Sequence, residues 1–335
     1  MEVRTVGDLT QQLVARQQNA ELRREMDRLV FEVGTEKRAD LAGSLRGDFT
    51  LLSGVEADLS RLQAFAETVS DLELRGEAIQ RVLSAGRELG NDTTANLLTA
   101  SPPTTAENVA FVASEARGRF ADFAARLNGS FAGASLFAGT ATGGPAVAPA
   151  EDMLTALEAE IAPLTSVADV QAAIETWFAP GGGYDTLGYV GSADPLPSVD
   201  VSPTRQIGLG VTAADPEVRD VLTGLAMAAL TDRPPLLGDL EVQGDFMIAA
   251  AERIQKSQSG LAELQARLGT SEAELEGEAA RNAAEQAVLR TTRAEMTDVD
   301  IFEAATDLDA VQARLELLYT ITARSAQLSL VRVLG

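Results

Sequence analysis

Apolar residues recur at helical spacing in two long internal stretches of the chain. From Leu52 to Val69 they step by three and four positions, which is the heptad seam of a coiled coil. A seam with the same spacing runs from Leu261 to Leu275. One helix over residues 48–91 measures about 66 Å at about 1.5 Å per residue. Because stripes of this kind are most often buried within their own chain, both stretches predict core helices.

Both ends of the sequence carry amphipathic patterns as well. Apolar residues step by three or four from Leu22 to Val33 and from Leu308 to Thr322. A second apolar row, which includes Leu317, widens the later stripe. Two such helices either pack on each other as an ordinary core or become ordered only when copies assemble, and the periodicity allows both. The apolar stretch Leu328–Leu334 indicates that another surface covers it, since chain ends are usually polar.

Proline and glycine separate these arms from the middle of the chain. All twelve prolines lie between Pro102 and Pro235, so the flanking arms can hold long helices. Residues 139–210 contain ten glycines and seven prolines, which predicts turns and short strands there. Alternating residues favour strands near 198–201 and 207–211.

Shorter helices are predicted around that region. One runs over residues 105–131 with Thr104 or Thr105 as its N-cap. Another covers residues 164–178 and carries the only tryptophan, and weak helical patterning resumes near Pro216.

The fold class that follows is mostly α. We predict a long antiparallel helical bundle or coiled coil made from both ends of the chain, with a small mixed or β-rich domain inserted at the tip. The terminal assembly helices are 1–46 and 297–335. The long-helix core domain is 47–139 with 217–296, and residues 140–216 form the variable insert.

The amino-acid composition excludes several classes of function. The chain has 335 residues, with 50 acidic and 27 basic side chains, and contains neither histidine nor cysteine. These absences exclude imidazole bases, thiolate nucleophiles and the common zinc and iron–sulfur sites, so we expect no enzyme, no catalytic residue, no metal and no cofactor. A formal charge of −23 opposes binding to nucleic acid and to anionic membranes.

The sequence also bears on localisation. It has no apolar run of 18 residues, and its first residues lack the apolar core of a cleaved signal peptide. We therefore expect no membrane insertion. Cytoplasmic residence is the default, although a protein exported without cleavage has the same appearance.

Several short motifs have ordinary explanations. Asp298, Asp300 and Glu303 resemble a calcium loop but lack its glycine and its closing glutamate, so they predict a helix start capped by Thr297 or Asp298. Glycosylation sequons begin at Asn91 and Asn128, and such matches are common by chance. The glycine-rich turns near Gly139 and Gly181 lack the context of a phosphate-binding loop.

One stretch near the end of the sequence carries a more specific signal. It contains the turn Met296-Thr297-Asp298-Val299-Asp300, the helix start Ala304-Ala305-Thr306 and the apolar pair Ser329-Leu330. With the turn Phe137-Ala138-Gly139-Thr140, these motifs resemble the flagellin superfamily, and within it the hook–filament junction proteins (hook-associated protein 3). The first residues of the chain also resemble those of this family. Gly34-Thr35-Glu36-Lys37-Arg38 is not followed by the proline-serine-aspartate-aspartate-proline turn of that family.

The resemblance implies an extracellular structural subunit of the bacterial flagellum, exported by the flagellar type III system without a cleaved signal peptide. Its implied partners are flagellin, another hook-associated protein, an export chaperone and further copies of itself in a helical oligomer. We expect the terminal helices to form the assembly interface. Its candidate residues are Leu9, Leu13, Leu22, Met26, Leu29, Leu315, Leu318, Ile321, Leu328 and Leu330.

Other functions fit the same pattern. Flagellin itself is the nearest alternative, and it differs by polymerising alone into long filaments. A soluble coiled-coil adaptor is an alternative from another class, in which the terminal helices form an ordinary stable core. A sugar-binding or hydrolytic insert ranks third.

Overall fold

Long helices dominate the computed structural model, which describes residues 6–102 and 105–334, with side chains omitted for residues 6–12 and 325–334. The mostly α fold class is therefore confirmed. The helices are α1 (Val6–Thr35), α2 (Leu41–Ser44), α3 (Thr50–Ala100), α4 (Ala106–Leu127), α5 (Ala150–Ile161), α6 (Val167–Phe178), α7 (Pro216–Ala229), α8 (Leu240–Thr297) and α9 (Ile301–Leu334). A π-helical turn covers Tyr184–Gly188.

Two antiparallel hairpins complete the secondary structure. The first pairs β1 (Ser130–Phe131) with β2 (Ala134–Ser135), and the second pairs β3 (Val199–Ser202) with β4 (Arg205–Ile207). The second hairpin lies where alternation in the sequence predicts strands. No helix in the described part of the chain is long and apolar enough to cross a bilayer.

The chain divides into two compact units. A terminal unit consists of residues up to Gln63 and residues from Ala284 onward, and a central unit spans Ala64–Ala283. Each has its own core. The helices α3 and α8 contribute to both units and are 51 and 58 residues long. The predicted helix 48–91 is thus extended to residue 100, where Leu97 is still fully buried.

In the central unit α3 and α8 run antiparallel. Gln265 on α8 donates to the Ser84 hydroxyl at 2.9 Å and accepts from Arg87 at 3.2 Å. Closer to α7, Gly90 of α3 faces Ile254 of α8. A β-carbon added at Gly90 would lie 3.0 Å from the Ile254 side chain. Leu261, Leu264 and Leu268 of the later seam therefore share a core with α3 residues such as Ile79 and Leu83, and the two predicted seams meet where Val69 and Leu275 are buried together.

The main core forms where α4 and α7 pack together. Phe120, Phe123 and Leu127 of α4 are fully buried, and α7 is buried on nearly every side from Val218 to Ala229. The buried residues of α7 include Arg219 and Thr223, so the residues it buries do not form an uninterrupted apolar stripe in the sequence. Met153, Leu157 and Ile174 from α5 and α6 join the same core.

The end of α4 differs from the sequence prediction. Thr105 is its N-cap, as predicted, and accepts from the Asn108 amide at 3.2 Å. The helix ends at Leu127 instead of residue 131, because Asn128 turns its side chain onto the backbone of Ala146 and Val147. Phe131 lies in β1. The asparagine of the sequon at Asn128 is thus a partly buried structural contact.

The hairpin β3–β4 packs onto the long helices of the central unit. Val201 and Ile207 are buried against Val69 and Leu275, which belong to the predicted seams. Asn282 donates to the Val201 carbonyl at 3.1 Å. The hairpin therefore covers an apolar segment of α3 and α8.

Candidate functional site: the terminal helix pair

The helices α1 and α9 pack along an apolar seam in the terminal unit. Leu29, Val311 and Leu315 are buried there, with 2%, 2% and 5% of their surface exposed. Other apolar residues flank them and are partly buried. These are Leu22, Met26, Val33, Val299 and Leu308. The stripes predicted near the two ends of the sequence thus face each other within one chain.

Two contacts show that the helices are antiparallel. Arg23 of α1 donates to the Tyr319 hydroxyl of α9 at 2.8 Å, and its guanidinium lies 6.0 Å from the ring centroid. The bond from Arg23 lowers the pKa of that tyrosine. At the opposite end of the pair, Lys37 lies beside Asp298.

We call the pairing of residues 36–38 with residues 297–299 the terminal clasp. Arg38 donates its backbone amide to Thr297 at 2.9 Å, and Val299 donates to Glu36 at 3.2 Å. These bonds form a short antiparallel bridge between the segment that follows α1 and the segment that precedes α9. It fixes the two terminal helices in register.

Side chains strengthen the terminal clasp. The Lys37 ammonium forms an ion pair with the Asp298 carboxylate, and Arg38 donates from Nε to the Asp298 carbonyl at 3.0 Å. The Lys37 bond, followed by one from Thr297, holds the pKa of Asp298 below its ordinary value. Sequence reasoning missed this pairing, although Lys37 and Asp298 both lie in the motifs compared with the family.

The N-cap of α9 is a different residue from the two predicted from the sequence. Neither Thr297 nor Asp298 caps the helix, because both are engaged at the end of α8 and in the terminal clasp. Asp300 is the capping side chain. Its Oδ1 accepts from the Phe302 amide at 2.9 Å and from the Glu303 amide at 3.2 Å. The carboxylate thereby satisfies two donors that the first turn of a helix leaves free.

A buried carboxylate ties α1 to the chain beyond the clasp. Glu32 is 6% exposed and accepts from Arg28 at 2.7 Å and from the Ala39 amide at 3.1 Å. Because both oxygens have a donor, its burial is compensated.

A cavity of about 330 Å³ opens beside Glu32 and the terminal clasp. Its apolar floor contains Leu29 and Ala304, and five carboxylates and two guanidiniums line the rest. The full lining is Arg28, Leu29, Glu32, Arg38, Asp40, Ser44, Val299, Asp300, Glu303, Ala304 and Asp307. In the described part of the chain, no group of three or more acidic residues has the geometry of a metal site.

A second row on α9, apolar apart from Thr306, has no partner helix within the described terminal unit. Its members are spaced three or four residues apart, and all are exposed. We call this the outer row, and it consists of Phe302, Thr306, Ala310, Ala313, Leu317 and Ile321. Phe302 is 83% exposed, Leu317 61% and Ile321 58%. The inner seam is thus covered within the chain, whereas the outer row is open.

The candidate interface residues separate into three groups. Leu29 and Leu315 are buried in the inner seam, and Leu22, Met26 and Leu318 are partly buried. Leu13 and Ile321 are exposed. The side chains of Leu9, Leu328 and Leu330 lie outside the described residues. Sequence periodicity located the helices, but it did not distinguish residues used inside the chain from those left exposed.

Comparison with known proteins shows a similarity of fold. No protein-family model matches the chain. No curated protein matches it either. A solved structure from Vibrio parahaemolyticus, provisionally assigned as a flagellar hook-associated protein, is similar with a TM-score of 0.54 and 14% identity. The similarity covers 75% of this chain and 99% of that one. At this identity it shows a shared fold.

Proposed function

We propose that this protein is a structural subunit of the bacterial flagellum that joins the hook to the filament through its terminal helices. The observation that carries the proposal is the outer row of α9. Leu317 and Ile321 are more than half exposed on a helix whose opposite face is already packed. Exposed apolar residues at coiled-coil spacing favour another helix as their partner.

The fold match supports a flagellar role. The similar protein from Vibrio parahaemolyticus is provisionally assigned as flagellar and hook-associated, and the shared fold covers nearly its whole chain. The motifs around the terminal clasp resemble the same family. We therefore assign flagellin and another hook-associated protein as neighbours, with further copies of this chain in the same helical assembly.

Export and localisation follow from the same proposal. The subunit leaves the cell through the flagellar type III system with the help of an export chaperone and without signal cleavage. It then resides outside the cell. Its role is packing and involves no catalysis, cofactor or metal.

A matched pair of variants tests the proposal in flagellated cells of the source bacterium. Leu317→Glu with Ile321→Glu places two charges in the outer row, and we expect hooks without filaments in electron micrographs. Gln312→Glu with Ala323→Glu adds the same charge elsewhere on α9, where both residues are exposed, and filaments should form. Normal filaments from the outer-row variant would contradict the proposal.

Deletion of residues 300–335 is the stronger form of the test. The central unit has its own core, so we expect it to remain folded while incorporation into flagella is lost.

Polymerisation of the pure intact protein into long filaments would instead favour flagellin. For a coiled-coil adaptor, amides throughout α1 and α9 should be strongly protected in the monomer. The junction assignment expects fast hydrogen exchange in the outer parts of both helices, away from the inner seam and the terminal clasp.

A further inference from the structure

We propose that Asn128 is a site of spontaneous deamidation, reactive in the unfolded chain and protected by the fold. It is the asparagine of the later sequon, and its side chain makes hydrogen bonds inside the central unit. The inference is independent of the proposed flagellar role. It starts from the residue that follows Asn128, which is Gly129.

The reaction needs only these two residues and water. The backbone nitrogen of Gly129 forms a bond to Cγ of Asn128, and the bond from Cγ to the side-chain nitrogen breaks. That nitrogen leaves as ammonia, with the proton of the backbone amide, and the chain is left with a cyclic succinimide. Water then opens the ring at either of its carbonyls, which gives aspartate or isoaspartate. Because the two reacting groups belong to neighbouring residues, no partner molecule has to bring them together.

The neighbouring glycine distinguishes Asn128 from the other asparagines of the chain. Gly129 has no β-carbon, so the unfolded backbone reaches the geometry of attack more easily than it does with any other residue at this position. The five other asparagines all precede a residue that has a side chain. They are Asn19, Asn91, Asn96, Asn108 and Asn282. In the unfolded chain, Asn128 should therefore react first.

The fold nevertheless requires glycine at position 129. The helix α4 ends at Leu127, and the Gly129 amide donates to the Arg126 carbonyl at 2.9 Å. A β-carbon added at Gly129 would lie 2.9 Å from the same carbonyl oxygen, which is closer than β-carbons normally approach a backbone atom. The tight turn after α4 therefore selects the residue that makes Asn128 reactive.

The fold also requires asparagine at position 128. Its Oδ1 accepts from the amides of Ala146 and Val147, both at 2.8 Å, and its Nδ2 donates to the Val147 carbonyl at 2.9 Å. An amide side chain supplies an acceptor and a donor together, whereas an ionised aspartate has no donor. These bonds join the end of α4 to the segment that precedes α5.

The same hydrogen bonds protect Asn128 in the folded chain. Residues 146 and 147 hold both polar atoms of its side chain, and the Gly129 nitrogen that must attack already donates its proton to Arg126. Ring closure requires these bonds to break, so the reaction depends on local opening of the structure. Deamidation thus limits the time that a chain can remain unfolded before it loses the contact that joins α4 to the segment before α5.

Mass spectrometry of the full chain tests the inference. The chain is kept at mildly alkaline pH either in buffer or in guanidinium chloride, and conversion of each asparagine side chain to a carboxyl is followed in its peptide. In guanidinium chloride, we expect Asn128 to react at least about tenfold faster than each of the five other asparagines. In buffer, the rate at Asn128 should be lower by at least about a hundredfold.

Gly129→Ala is the matched control, and it is measured in guanidinium chloride so that the variant need not fold. It should lower the rate at Asn128 to that of Asn19 and Asn282, which also precede alanine. An unchanged rate would show that the glycine is not what makes Asn128 reactive, and would overturn the inference.

A second pair of variants tests the effect of the product. Asn128→Asp removes the donor to the Val147 carbonyl, and we expect it to unfold at a lower urea concentration than the wild type or to fail to fold. Asn91→Asp makes the same change at an exposed position of α3 and should unfold close to the wild type. Equal midpoints for the two variants would contradict the claim that deamidation damages the fold.

Two results on the wild-type chain would overturn the inference. One is a rate at Asn128 that is the same in buffer and in guanidinium chloride, since the fold would then give no protection. The other is a rate at Asn128 in guanidinium chloride that does not exceed the rates at the other asparagines. Neither result bears on incorporation into flagella, so the flagellar role is tested separately.

Discussion

Lys37 and Asp298 form an ion pair although 261 positions separate them in the sequence. Around this pair, two short backbone segments join to form the terminal clasp. The clasp follows the first helix of the chain and precedes the last one, so it sets which parts of α1 and α9 lie opposite each other. The inner seam and the cavity both depend on that register.

The Lys37–Asp298 pair makes the stability of the terminal unit depend on pH. The pKa of Asp298 is lower in the folded chain, so its contribution is present above the unfolded pKa of about 3.9 and is lost as pH falls through the folded value. We expect Asp298→Asn to increase hydrogen exchange around residues 36–38 at pH 7. The difference from the wild type should vanish below the folded pKa.

Asp309→Asn is the control for this prediction. Asp309 is exposed on α9 and forms no ion pair with any described residue. Its replacement should leave exchange near the clasp unchanged at both pH values. A pH-independent effect of Asp298→Asn would show that its charge is not what stabilises the clasp.

Mutations in the inner seam and in the outer row should differ in their effect on stability. Leu29→Ala removes a buried side chain from the inner seam and should destabilise the terminal unit by about 2–4 kcal/mol. Leu317→Ala lies in the exposed outer row and should change stability by no more than about 0.5 kcal/mol. Urea unfolding, followed by hydrogen exchange in α1 and α9, measures both. Equal losses would mean that the outer row is covered within the chain.

Glu32 contributes to stability through two hydrogen bonds at a buried position. Glu32→Gln keeps the shape but removes the charge that accepts from Arg28 and Ala39, and we expect a loss of about 1–2 kcal/mol. Glu25→Gln on the exposed side of α1 should have little effect. Thermal unfolding and exchange at the Ala39 amide report the difference, and equal behaviour of the two variants would contradict it.

Asn128 and Asn91 start similar sequons but should respond differently to alanine. Asn128 accepts from the Ala146 and Val147 amides, both at 2.8 Å, and donates to the Val147 carbonyl at 2.9 Å. Asn128→Ala leaves these groups without a partner and should cost about 2–3 kcal/mol. Asn91 is exposed in α3, where alanine is the better helix former, so Asn91→Ala should stabilise by about 0.5 kcal/mol. Urea unfolding of both variants measures the contrast, and a neutral Asn128→Ala would contradict it.

Local sequence patterns were sufficient to predict a helix where only one of its faces is buried. The spacing from Leu52 to Val69 and from Leu261 to Leu275 predicted α3 and α8, and the N-cap of α4 was narrowed to Thr104 or Thr105. The helical signal of α7 was harder to recognise because Arg219 and Thr223 are buried among its apolar residues. Phe131 fitted the helical spacing of α4, yet a hydrogen-bonded side chain at Asn128 ends the helix before it.

The sequence by itself determined that the chain is mostly helical and that its ends carry amphipathic helices, since periodicity and proline placement act within a few residues. It also excluded histidine and cysteine chemistry by composition alone. Only the tertiary structure decided which apolar residues are covered, because Leu315 and Leu317 are equally apolar and only packing against α1 distinguishes them. The pairing of Lys37 with Asp298 was likewise decided there, because a contact between segments so far apart leaves no local trace in either one.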